Sequence, residues 1–320
     1  MAMKPYDVTA LGELLIDFTE NGTSAQGNPV FEANPGGAPC NVLAMLGRLE
    51  HKTAFIGKIG KDMFGTQLEM ALEEVGIDTR GLKKDEHVHT TLAFVHTLED
   101  GDREFSFYRN PGADMMLSEE DIDEELIASS KIFHYGSLSM TDEICRKATR
   151  KAIEIAERSG ALLSFDPNLR EPLWHSLDEA KEQILYGMEH CHILKISDNE
   201  IQWLTGREDY DEGIEMLQKR FHIPLILLSL GKEGSRAYTD NIRVEQAAFR
   251  QEHTIETTGA GDTFCACILH YVLCHGWKDY NECELKEMLR FANAAASIIT
   301  TRKGALRVMP RKEEIRCLLD

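Results

Sequence analysis

Short apolar runs of β-forming residues alternate along the chain with amphipathic stretches. Runs at 6–12, 53–58, 131–135, 161–165, 192–196 and 224–230 read as strands, and 41–49, 63–75, 142–158, 177–187 and 210–221 read as helices. That alternation predicts an α/β protein with a mainly parallel sheet covered by helices on both faces. Ligands then gather at the carboxyl ends of the strands. Two segments, 14–35 and 89–116, break the pattern with extra β-type sequence; in the second, TLAFVHT and REFSFYR flank a turn at 98–102, which is a hairpin signature. The expected organisation is an α/β domain made of 1–13, 36–88 and 117–320, with 14–35 and 89–116 pairing into a small β-sheet lid above the strand ends. Two unrelated surface hairpins are the alternative.

Composition narrows the partners. With 320 residues, 42% of them hydrophobic, the chain can bury a large core. It has no apolar run of about 20 residues to span a membrane, and its start, MAMKPYDVTA, lacks the apolar centre of a secretory signal. Eight cysteines without paired CxxC spacing read as reduced thiols in a cytoplasmic protein, with Cys265 and Cys267 filling a helix. A net charge of −19 disfavours nucleic acid and requires that any anionic substrate, such as ATP, meet local cations. Among twelve histidines, His87, His89 and His96 lie in one segment, but no Cys or carboxylate completes a ligand set there.

Two glycine clusters carry candidate chemistry. NPGGAPCN, ending at Asn41, precedes a helix, where adjacent glycines let backbone approach a ligand and an Asn offers donors and acceptors to a polyhydroxy compound; a capped turn is the plainer reading. Asp17 in GELLIDF follows a strand end and suits a sugar hydroxyl or a turn. In ETTGAGDTF the glycines open a helix, a place that attracts anions, yet Asp262 stands there too. Neither a dinucleotide fingerprint nor a GxxxxGK[ST] phosphate loop is present. The combination makes sense if the helix dipole depresses the Asp262 pKa, keeping a base ionised where an alcohol meets a phosphoryl group.

GGAPCN, FDPNLR, the strand running into LGKEG, and TTGAGDTF, in that order, resemble the ribokinase-like, or PfkB, family of carbohydrate kinases. FDPNLR with Trp174 and KISDNE is most similar to the fructokinases. The resemblance implies a three-layer αβα sandwich with a β-sheet lid, and transfer of the ATP γ-phosphoryl group to a sugar primary hydroxyl. D-Fructose is the first expectation, ahead of 2-keto-3-deoxygluconate, aminoimidazole riboside and ribose; a sugar-binding sensor without turnover is the reading from another class. It further implies Asp262 as general base and Gly259, Ala260 and Gly261 as an anion hole. Asp17, Gly36, Gly37 and Asn41 would hold the sugar, closed by Arg109, with Asn168 and Arg170 between acceptor and phosphates. Lys195, Ser229, Gly231, Gly234 and Asn293 would serve the nucleotide, Glu200 would hold Mg²⁺ through water, and Glu256 with Thr258 would hold a monovalent cation such as K⁺. Ser197 stands where the family's Asn-x-x-Glu has Asn, Glu256 where Asp is usual, and Leu43 where a small residue is common. No nucleic-acid or membrane partner is expected, and a homodimer would form through the lid.

Overall fold

The computed structural model describes residues 4–97 and 103–320, so the hairpin turn at 98–102 and the first three residues lie outside the described residues, as does the side chain of His96. In chain order the strands are β1 (Tyr6–Leu11), β2 (Leu15–Thr23), β3 (Pro29–Gly36), β4 (Thr53–Gly60), β5 (Asp78–Asp85), β6 (Leu92–Thr97), β7 (Arg103–Tyr108), β8 (Ser130–Gly136), β9 (Leu162–Asp166), β10 (Ile193–Ser197), β11 (Leu225–Ser229), β12 (Gly234–Tyr238) and β13 (Arg243–Ala247). Nine of them form one sheet in the order β13-β12-β11-β10-β9-β8-β1-β4-β5, parallel except for the antiparallel β12 and β13 at one edge.

Alternation along each strand divides the core between two layers. Val8, Phe55, Ile193 and Leu227 pack on one side with the helices Ala38–Arg48, Met63–Glu74, Ala260–His275 and Glu282–Ile299. Ile56, Leu194, Ile196 and Leu228 pack on the other, with Glu143–Arg158, Leu177–His190 and Tyr210–Phe221. Period-two side-chain alternation makes this division unavoidable once both faces are covered. Three strands of the sheet escape the apolar reading. β5 (DTRGLKKD) and β13 (RVEQA) are edge strands whose charges blunt further pairing, and β12 joins the latter by a hairpin.

β1 pairs with β4 on one side and β8 on the other, which makes the carboxyl ends of β1 and β8 the switch point of the sheet. A separate four-stranded sheet, ordered β3-β2-β6-β7, is built from the two segments that broke the α/β pattern. Leu15, Asp17 and Thr19 alternate onto its inner face, which looks into the switch-point cleft. The neighbouring positions place Phe18 against Phe94 and Phe64, and Phe31 and Tyr108 complete this aromatic cluster on the other face.

Candidate active site

Two adjoining cavities, of about 420 and 470 Å³, open at the strand ends. The first lies between the small sheet and the main domain and is lined by Glu13, Asp17, Asn41 and Asp262 among others. The second runs over the ends of β10 and β11, along Ser197, Glu200, Ser229 and Gly231. Asn168, Arg170, Lys195 and Gly261 line both, so they form the passage where two ligands would meet.

Asp262 sits in the first turn of Ala260–His275, capped by Gly259 in the left-handed conformation at φ 76°. A Cβ on Gly259 would approach that of Ala305 to 2.8 Å, so glycine is required by both backbone and space. Asn41 Nδ2 donates to Asp262 Oδ2 at 2.8 Å, while the buried Asn41 Oδ1 has no hydrogen-bond partner among the described residues. The expected depression of the Asp262 pKa is corrected by the structure. Burial raises it above the usual carboxylate range, against the opposing pull of Asn41, Lys195 and Arg170. Desolvation inside the cleft outweighs the combined pull of these three partners.

Asp17, on β2, is likewise raised to about 7 by burial, although Arg170 opposes the shift. A Cβ at Gly36 would stand 2.1 Å from Asp17 Oδ2, and one at Gly37, where φ is 131°, would stand 2.4 Å from the Glu13 carbonyl oxygen. The GG pair therefore lets β3 turn into the helix Ala38–Arg48 directly beneath that carboxylate.

Lys195 reaches from β10 to the helix start. Its Nζ pairs with Asp166 at 3.0 Å and would lie 3.2 Å from a Cβ on Gly261. Burial works against its charge, but Asp166, Glu200 and Asp262 hold its pKa above the ordinary lysine value. It is thus a fixed ammonium beside the glycine loop, a stronger position than a solvated strand-end lysine. Glu200 accepts from Ser197 N and Oγ and from Leu169 N, each at 2.8 Å. Ser197 caps the helix Asp198–Thr205, so serine in place of asparagine preserves the cap, and Glu200 also fixes the Asn168–Arg170 loop.

Other expected residues lie elsewhere. Arg109 does not line the cleft; its side chain is buried behind it, donating to Asp114 at 2.7 Å, Thr141 at 2.8 Å and the Leu138 carbonyl at 3.0 Å. Those three partners account for its guanidinium, and a buried ion pair of this kind is not available to a sugar. Asn293 is bound to Ser235, Gln246 and Ala247 and lines neither cavity. Gly234, at φ 120°, allows the tight start of β12 and also lies outside the cavity walls. Ala260 donates its N–H to Thr257 O at 3.2 Å and lines neither cavity. Glu256 and Thr258 line the first cavity, and Glu256 Oε1 accepts from Gly304 N at 2.8 Å.

Two site carboxylates were missed in the sequence. Glu13 accepts from Ala38 N at 2.8 Å and burial raises it to about 7. Asp166, which anchors Lys195, is raised to about 6 by burial, with Glu200 and Asp262 adding to the shift against Lys195. The available signal was positional, since both stand at or just past the carboxyl ends of strands beside the switch point.

The family model described as pfkB family carbohydrate kinase matches residues 6–312. A probable fructokinase of Arabidopsis thaliana is 42% identical over 98% of this chain and 96% of its own. Among solved structures, a Xylella fastidiosa fructokinase with bound ATP superposes with a TM-score of 0.90 at 30% identity, covering 99% of this chain and 98% of that one. A Vibrio cholerae fructokinase double mutant with fructose, ADP and potassium ion bound gives 0.88 at 29% identity, with all of both chains covered.

Proposed function

The chain belongs to the pfkB family of carbohydrate kinases, and from that premise we propose that it transfers the γ-phosphoryl group of ATP to a primary hydroxyl of D-fructose. The observation that carries this reading is the position of Asp262, buried, held by Asn41, and set where the two cavities meet at Gly261 and Lys195. Sugar would occupy the first cavity, with hydroxyls on Asp17 and on the free acceptor of Asn41, and ATP the second. Asp262 takes the hydroxyl proton as the sugar oxygen bonds to the γ-phosphorus and the bond to the β-phosphate oxygen breaks, releasing ADP. Charge spread over the transferring group is met by the glycine-loop backbone, Lys195 and Arg170, which are in place before reaction.

Mg²⁺, when bound, neutralises phosphate charge; with its oxygens already accepting three hydrogen bonds, Glu200 suits a hold through water. Glu256 and Thr258 offer oxygen donors on a loop tied to Thr300 and Gly304, which suits a monovalent cation such as K⁺; the Vibrio relative was solved with a potassium ion bound. The small sheet acts as a lid, since its inner face supplies one wall of the sugar cavity.

Fructose is favoured over an acidic sugar because Arg109 stands outside the cleft, while Glu13, Asp17, Glu256 and Asp262 line it. A coupled ADP-release assay over ketoses, aldoses and keto-acids tests this. Fructose should give the highest kcat/KM; a higher value for 2-keto-3-deoxygluconate would reverse the assignment.

A further inference from the structure

At the end of the helix Ala260–His275 opposite Asp262, two imidazoles and a thiol converge. His51 Nε2 lies 2.7 Å from His270 Nδ1, and Cys274 Sγ lies 3.7 Å from the same nitrogen. The three donor atoms all fall within 4.8 Å of one another. His270 and Cys274 share a helix face by their four-residue spacing, whereas His51 arrives from the segment following Ala38–Arg48. None of these residues touches either cavity of the cleft.

We propose that His51, His270 and Cys274 bind a borderline-soft divalent cation of the zinc type, with one coordination position left to water. Tetrahedral zinc with Zn–N near 2.0–2.1 Å and Zn–S near 2.3 Å requires N···S separations of about 3.6 Å and N···N of about 3.3 Å. The sulfur is already at that spacing from His270. The rings need only swing apart by roughly half an ångström, and in doing so they exchange a contact between two imidazoles for two metal bonds.

The surroundings support the set. Asp7 Oδ2 lies 3.4 Å from His51 Nδ1, on the far side of the ring, where a carboxylate orients a ligating imidazole. Asp7 is itself fixed by Lys131 Nζ at 2.7 Å and Lys52 N at 3.0 Å, and Phe291 stacks on His270. The cavity beside Cys274, about 350 Å³ and bordered by Lys312, Arg290 and Arg316, leaves room for the water ligand. Bound there, the ion would tie the segment at His51 to the long helix.

The test uses tag-free, metal-stripped protein under nitrogen, titrated with Co²⁺ and then Zn²⁺. Expected are a thiolate-to-cobalt charge-transfer band saturating at one equivalent, its loss on zinc addition, and a higher unfolding midpoint with zinc. Cys274→Ser, at an exposed position, should keep kinase activity while losing both the band and the zinc-dependent stabilisation. Asp7→Asn should keep the band but weaken Co²⁺ affinity by about 10-fold. Absence of the band in the wild type, or its persistence in Cys274→Ser through Cys283 or Cys317, overturns the site.

Discussion

The cavity in which we place the acceptor is built from buried side chains, whereas the one in which we place the nucleotide is built largely from strand ends, turns and a helix start. Glu13, Asp17 and Asp262 on the acceptor side are carboxylates whose pKa values burial has raised. On the nucleotide side Ser229, Gly231 and Asn199 offer edges rather than enclosed charge. A neutral polyol can be recognised by fixed acceptors in a dry pocket, because each hydroxyl satisfies a buried oxygen. A polyphosphate carries its own charge and water, so open backbone geometry and one fixed ammonium suit it better. The two halves meet at Lys195, which is why disturbing that residue should not behave like disturbing either side.

The largest expected effect separates the halves. Asp262→Asn should lower kcat by about 10²–10⁴-fold while ATP affinity, read by calorimetry, stays near the wild-type value. Loss of ATP binding in the same variant would mean that the halves are not independent. Next comes the junction. Lys195→Met leaves Asp166 buried without its partner and should cost about 3–5 kcal/mol of stability by denaturant unfolding, together with phosphoryl transfer. Adding Asp166→Asn should restore most of the stability and none of the activity.

A third pair of variants tests where the cations act. Arg109→Ala should lower stability, since it strands Asp114, yet leave the fructose KM of the folded enzyme little changed. Arg170→Ala should do the reverse, keeping the melting temperature and losing about 1.5–3 kcal/mol in kcat/KM. If Arg109→Ala raised KM selectively, the arginine would have to swing into the cleft during turnover.

The smallest effect concerns Glu13. Its folded-state pKa of about 7 lies above the ordinary 4.5, so the stability this adds is fully present below pH 4.5 and is lost as pH rises through 7. Glu13→Gln, which keeps an acceptor for Ala38 N, should match the wild type at pH 4.5 and exceed it in stability at pH 8. A constant difference across that range would show that Glu13 is not the titrating group.

Local pattern was enough for the layers, because period-two apolar strands and amphipathic helices bury themselves in only a few ways. GGAPCN, FDPNLR and TTGAGDTF likewise identified the family before any contact was known, since turn glycines and helix starts are encoded by neighbours in the chain. What lay beyond the sequence was the environment of each polar group. Arg109 reads like a cleft cation until Asp114, Thr141 and Leu138 are seen around it. Glu13 and Asp166 look ordinary until the sheet buries them, and the dipole argument for Asp262 gave the wrong sign because desolvation depends on everything packed above it. His51 and His270 are 219 residues apart, and only the packing of Ala38–Arg48 against Ala260–His275 brings them to 2.7 Å. Periodicity and turn chemistry are properties of adjacent residues and belong to the sequence; burial, pairing and pKa are properties of neighbours in space, which the tertiary structure alone decides.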